Sequence, residues 1–208
     1  MNTQQSNLIN AAQQDACSER VPSASARCEM QAAYAEALLD QVDAAQMQIR
    51  DLQDDISLLQ TAENALDMIS ENLAKIRRLV TERQAYSTFE HTVADLNHEI
   101  RNLLMINMLV AEDTELNGHY LFKDDIIRMS SDPRGELTLT TTRIPEIAGI
   151  DTNDTQATMD SLDSAAHAIN RQYQRIGQLM RALLEIYQQL QTETTLLTTA
   201  RQNLKRED

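Results

Sequence analysis

From Cys28 to Gln84 no proline or glycine interrupts the chain, and this run constrains the fold more than any other feature. Within it Leu59, Ala62, Leu66, Ile69, Leu73, Ile76 and Val80 recur at alternating steps of three and four. That is the period of a helix seam. At 1.5 Å per residue such a helix runs to roughly 85 Å. Its apolar strip is too narrow to be a core alone, so it must lie against other helices.

Two further strips supply partners. After "AYST", with Ser87 or Thr88 as candidate N-cap, the spacing resumes at Phe89, Val93, Leu96, Ile100, Leu103, Ile106 and Val110. It ends near Asn117-Gly118, a pair suited to the left-handed conformation of a helix stop or a turn. The last strip starts among the caps of Asp151–Thr155 and passes through Met159, Leu162, Ala166, Ile169, Tyr173, Ile176, Met180, Leu183, Tyr187, Leu190, Thr194 and Leu197. Between them lie the only β-like segments, His119–Phe122 and Glu136–Ile144, flanking turn signals at Asp132-Pro133 and Gly135, with Pro145 and Gly149 closing the region.

The expected fold is therefore mainly α, an elongated antiparallel helical bundle with a small β-hairpin at one end. Residues 1–27 are expected to be a polar segment, partly helical or flexible, and 28–208 a rod domain. Its helices are expected at about 28–85, 88–115 and 152–205, with the hairpin at about 118–144.

Composition narrows the function classes. With 18 Lys+Arg against 32 Asp+Glu the net charge is −14. A nucleic-acid groove needs concentrated positive charge, and an anionic membrane surface would repel this chain. No run approaches the ~20 apolar residues of a membrane span, and no basic segment followed by an apolar one opens the chain as a secretory signal. Four glycines, three prolines and 3% aromatics suit long helices better than a pocketed enzyme. Cys17 and Cys28 admit either a pair or unpaired thiols; the second reading is preferred because two thiols in a non-compact segment are weak evidence of an oxidising compartment, and their spacing matches no CxxC or Cys/His site.

Other residues fall short of chemistry. His91 and His98 share a helix face with Asp95 between them, but zinc needs three or four converging ligands. Asp124, Asp125 and Asp132 lack the spaced acidic pattern of a calcium loop. Single glycines in "NGH" and "RGE" do not cradle phosphate, and no serine has an identifiable base. The expectation is no catalysis, no metal and no cofactor.

Several separated motifs resemble the bacterial flagellin family. Asp54, Ile56-Ser57, Gln60-Thr61-Ala62-Glu63 and Ala65-Leu66 are similar to the family's N-terminal core run. Asn72-Leu73, Arg77 and Leu79 continue it. "HEIRNLL" followed by "TELNGHYLF" resembles the family's Glu-Ile helix and Asn-Gly turn, and Leu197, Thr198, Ala200 and Arg201 its Leu-Thr-x-Ala-Arg segment, with Gly177 in the place of its Leu-Gly helical turn. The likeness covers roughly residues 45–122 and 136–208.

The resemblance implies a helical inner domain with a β-hairpin, copies of which stack into the flagellar filament. It implies export without a cleaved signal through the flagellar type III apparatus, aided by a chaperone, and an extracellular location serving motility. The partners it implies are other flagellin subunits and, in hosts, the Toll-like receptor for flagellin. By position, Lys75, Arg77, Leu79 and Glu99 are the implied subunit-packing or receptor contacts. Lys75 stands where the family commonly has Arg, and a Lys cannot make the planar fork of a guanidinium.

Departures accompany the likeness. "SERVPSASAR" replaces a Gly-containing turn, Asp55 and Asn64 replace glycines, and there is no room for an outer variable domain. The family's C-terminal half of the inner coiled coil is expected to be missing after Asp208, whether through trimming or because the chain is a minimal paralogue. A hook–filament junction protein, which "NGHYLF" also resembles, and a soluble helical adaptor or chaperone-like protein are the alternative functions.

Overall fold

A computed structural model describes residues 24–123, 126–131, 137–140 and 154–206. The elements run α1 (Ala24–Ala85), α2 (Glu90–Asp113), β1 (Glu115–Leu116), β2 (His119–Tyr120), β3 (Ile127–Arg128), β4 (Thr138–Leu139) and α3 (Thr155–Leu204). The fold is a mainly helical bundle carrying two small antiparallel strand pairs. Cys17 and the rest of the polar N-terminal segment before Ala24 lie outside the described residues.

Two compact units divide the chain, Met1–Ala45 with Glu193–Asp208, and Gln46–Thr192. In the first, α1 buries Leu38, Val42 and Ala45 at steps of four and three, so the helical period persists to its early turns. Helix α1 is already formed at Ala24, the first described residue and four before the expected start; Ala24 and Ala26 favour helix and Ser25 donates to Glu29 at 3.3 Å. Cys28 is an exposed free thiol.

The second unit holds the main core. All seven expected seam residues of α1, from Leu59 to Val80, are buried, and the seam extends back to Leu52. Helix α3 meets α1 antiparallel: Asp67 pairs with Tyr173, Arg77 with Asp163, and Arg83 with Thr155, each step up α1 matching a step down α3. Helix α2 is also antiparallel to α1, since Arg83 donates to Asn97 and Asn72 to Asn107.

The seam of α2 differs from its expected phase. Leu96, Ile100, Leu104 and Asn107 are buried, whereas Phe89 and Ile106 are 61% and 42% exposed. An α-helix drifts from a 3.5-residue repeat, so Leu104 and Asn107 turn inward and Ile106 outward, while Leu103 and Val110 still pack half-buried on the core. Neither Ser87 nor Thr88 caps α2; both lie in the turn 86–88, and Phe89 takes the N-cap position without a side-chain cap. Helix α3 has its cap in the expected stretch: Asp154 Oδ1 accepts from the amides of Gln156 (2.9 Å) and Ala157 (3.1 Å).

Among the described residues the strands form two separate pairs where a single hairpin is expected. Asn117 (φ 53°) and Gly118 (φ 83°) form the two-residue turn of a β1–β2 hairpin that pairs Glu115 with Tyr120. Two consecutive positive φ angles are what a type I′ turn demands, and Asn-Gly meets that demand with least strain. His119-Tyr120 is thereby paired locally, and the later segment joins Ile127–Arg128 instead, with Ile127 opposite Leu139. Leu121, Phe122, Ile127, Met129 and Leu139 from these pieces enter the helical core. Pro145 and Gly149 lie outside the described residues.

Candidate functional site

The residues singled out on α1 sit where the helix turns one face to the core and another outward. Leu73, Ile76 and Val80 are buried, which leaves Ala74, Lys75 and Arg78 exposed on the opposite side. Leu79, one residue before Val80, does not project freely: it is half-buried and packs on the core. Arg77 crosses to α3 and pairs with the Asp163 carboxylate, both side chains remaining about half exposed (43% and 56%). Glu99 is exposed on α2 beside the buried Ile100.

Between α1 and α3 an open groove of about 560 Å³ runs over this region. Leu73, Leu162, Ala74 and Ala166 give it an apolar floor, while Ser70, Arg77 and Arg78 supply its polar side. It combines small and apolar side chains with guanidinium groups, a lining suited to a helix carrying one apolar knob and carboxylates.

Three buried polar groups tie other segments of the chain to α1. Asp55, 3% exposed, accepts from the amides of Ser130 (3.0 Å) and Ser131 (2.8 Å) and from the Ser131 hydroxyl (2.6 Å). Asn72 donates to Asn107 at 2.8 Å between α1 and α2. Arg83, 6% exposed, donates to Asn97 at 2.9 Å and to Thr155 at 3.1 Å, tying α2 and the first turn of α3 to α1. Sequence reasoning passed over all three as functional positions. Their signal was phase: Asp55 lies four residues before Leu59, Arg83 three after Val80, and Asn72 three after Ile69, each on the buried side of the seam.

On the adjoining face the Tyr173 hydroxyl donates to Asp67. Burial, the bond to Asp67 and the negative charges of Asp67 and Glu63 all push its pKa above the ordinary 10. His91 and His98 are exposed, and His98 Nε2 meets Asn102 at 3.2 Å. Among the described residues no group of three or more His, Cys, Asp or Glu side chains is placed to hold a metal ion, and no helix is long and apolar enough to cross a membrane. Asp124, Asp125 and Asp132 lie outside the described residues.

A flagellin of Halalkalibacterium halodurans is 26% identical over 169 residues, covering 75% of this chain and 62% of that protein. A flagellin of Serratia marcescens is 34% identical over 76 residues, 36% of this chain and 22% of the relative. Flagellin 1 of Proteus mirabilis is 32% identical over 69 residues, 33% of this chain and 19% of the relative. The chain thus spans about three fifths of the first of these proteins and about a fifth of the other two. The family model of the bacterial flagellin N-terminal helical region matches residues 1–126, which includes all of α1 and α2, the Asn117-Gly118 hairpin and the Lys75–Leu79 surface. With that match extending over more than half of its 208 residues, the chain belongs to the bacterial flagellin family.

Proposed function

We propose that this chain is a structural, self-assembling subunit of the bacterial flagellar filament, acting through packing between copies and serving motility without catalytic turnover. The observation that carries the reading is the family match over residues 1–126. The internal seam is in keeping with it: the large apolar residues of α1 from Leu52 to Val80 are spent mostly inside the bundle, leaving the outside for neighbours. Lys75, Arg77 and Glu99, with the half-buried Leu79, are the packing residues on this reading. Its partners are other flagellin subunits, and the chain reaches the cell exterior through the flagellar export apparatus with a chaperone's help. Contact with the host Toll-like receptor through the same surface would be weaker than with an Arg at this position, since Lys75 offers a point charge in place of a planar fork.

Electron microscopy of cells lacking the gene tests the reading, together with gold-labelled antibody on the parent strain. Label along the filament, and shortened or absent filaments in the mutant, are expected. Label confined to the base of the filament would favour the hook–filament junction, to which the "NGHYLF" segment is also similar. Normal filaments without label would remove the subunit reading.

A further inference from the structure

Between Asp51 and Arg78 the charges of α1 are segregated. From Asp51 to Glu71 every charged residue is acidic: Asp51, Asp54, the buried Asp55, Glu63, Asp67 and Glu71. Lys75, Arg77 and Arg78 then follow within four positions. In a chain of net charge −14, most mutual approaches of two copies are repulsive, so a concentrated basic segment selects what it meets.

The groove beside that basic segment has a counterpart on the same helix. Met47 is 64% exposed, and Asp51 and Asp54 are exposed four and seven residues later. Spacings of four and seven put the three side chains on one helix face. An apolar knob is thus followed, towards the C-terminus, by two carboxylates, and the exposed Arg50 between Met47 and Asp51 leaves this strip acidic by one net charge. The groove repeats this order in complementary form: an apolar floor around Ala74 and Leu162, followed one turn on by Arg78. Arg77 is already paired with Asp163, so Arg78 is the guanidinium positioned to receive a carboxylate from outside.

We propose that the Met47–Asp51–Asp54 strip of one copy docks into the Ser70–Arg78 groove of a second copy, with Met47 over Ala74 and the carboxylates against Arg78. The proposal rests on the subunit reading above and gives it a specific interface. The two patterns run in the same direction, so the copies lie parallel. Bringing position 47 opposite position 74 displaces one copy by 27 residues, roughly 40 Å at 1.5 Å per residue. Strip and groove are different patches, so each docked copy still offers one of each and the contact propagates into an open array.

Charge reversal tests this on the full chain. Arg78→Glu leaves a copy with acidic strip and acidic groove edge; Asp51→Arg with Asp54→Arg leaves one with both basic. Each variant alone is expected to lose self-association by roughly tenfold or more in sedimentation velocity, because attraction becomes like-charge repulsion. An equimolar mixture of the two is expected to associate again, which also establishes that both are folded. If the wild-type chain associates and the separate variants do so equally well, or if the mixture fails to recover, this interface is wrong while the subunit reading stands. Binding of the wild-type chain to an acidic amphipathic peptide but not to itself would assign the groove to another partner and overturn the self-docking. A wild-type chain that stays monomeric even when seeded with sheared filaments removes the subunit reading, and this interface with it.

Discussion

The carboxylate of Asp55 on α1 accepts two hydrogen bonds from Ser131, from its amide at 2.8 Å and its hydroxyl at 2.6 Å. A third comes from the Ser130 amide at 3.0 Å. Seventy-six positions of chain therefore close on one buried side chain, and the segment after β3 is held to the helix by it. Bonds to an ionised acceptor are about twice as strong as neutral ones. Asp55→Ala would leave two backbone N–H groups without their acceptor, at about 1–3 kcal/mol each when water cannot replace it. Allowing for partial access of water at the exposed Ser130, the expected loss is about 2–4 kcal/mol in urea unfolding. Faster proteolysis near Ser130 should accompany it. A variant unfolding at the parental midpoint would mean that the tie carries little energy.

A second buried polar pair sits deeper. Asn107 is fully buried, its Oδ1 accepts from Asn72, and its own Nδ2 finds no hydrogen-bond partner among the described residues. One half of this amide is satisfied and the other half carries a desolvation cost. Replacing Asn107 alone by Leu should cost about 1–2 kcal/mol, because Asn72 then loses its acceptor. Replacing both by Leu should be neutral or stabilising, as for other buried polar pairs exchanged for apolar ones. Greater stability is expected to come with a less unique register of α2 on α1, visible as broadened amide resonances. A double variant less stable than either single one would contradict this account.

The Arg77–Asp163 pair lies at the opposite extreme. Both side chains are about half exposed, so water and salt screen the interaction and ordering two long groups offsets much of it. Asp163→Ala is expected to cost less than about 1 kcal/mol, with the difference shrinking as salt is added. A loss several times larger at high salt would show that the pair is coupled to the groove floor at Leu162 and Ala166.

These contrasts explain what the sequence could disclose. Leu59 through Val80 were legible because burial there follows hydrophobicity, and period alone assigns the face. Helix α3 was legible in phase but too narrow in outline: Thr158, Ala165, Ala168 and Gln172 are buried beside the expected strip, since a helix facing two neighbours buries a wider arc. In α2 the choice of Ile106 over Asn107 followed side-chain type, and geometry reversed it. Asp55 and Arg83 were hidden for the same reason: a charged residue on the seam phase reads as an interruption until a partner from another segment is known. The partners, Ser131, Asn97 and Thr155, have no sequence relation to them. In the strand region the Asn117-Gly118 turn was legible from local chemistry, while the pairing of Ile127 with Leu139 depends on which segment the first hairpin leaves free. The groove beside Arg78 needed two helices in register and had no signal in either one.

Gly177 offers a test of a residue that the resemblance marked and the packing does not need. It lies inside α3, and a Cβ built on it meets no atom within 4 Å. A helix-interior glycine costs about 0.5–1 kcal/mol relative to alanine through backbone entropy. Gly177→Ala should therefore stabilise the isolated chain by about that amount, as a raised thermal midpoint. If the substitution leaves stability higher but weakens association, the open space over Gly177 is where a neighbouring backbone comes close. A destabilised monomer would contradict the free space seen there.

Alkaline pH probes the contact between Tyr173 and Asp67. Burial, the hydrogen bond to Asp67 and the charges of Asp67 and Glu63 raise the pKa of Tyr173 above its ordinary 10. The folded chain thus holds the phenolic proton at pH values where the unfolded chain releases it. Stability from this source is complete below about pH 10 and is lost as pH climbs towards the folded value, because the folded state then binds more protons than the unfolded. One proton sets a ceiling of about 1.4 kcal/mol per pH unit, and solvent screening of the partly exposed ring keeps the slope below it. Tyr173→Phe removes the titration together with the bond to Asp67. At pH 7 it should cost about 1 kcal/mol, and above pH 10 the gap between the two proteins should narrow. Every other group is common to both proteins, so the informative quantity is the difference between their urea midpoints from pH 9 to 11. A gap that stays constant across that range would mean that Tyr173 ionises alike in the folded and unfolded chains, and that Asp67 and Glu63 exert no hold on it.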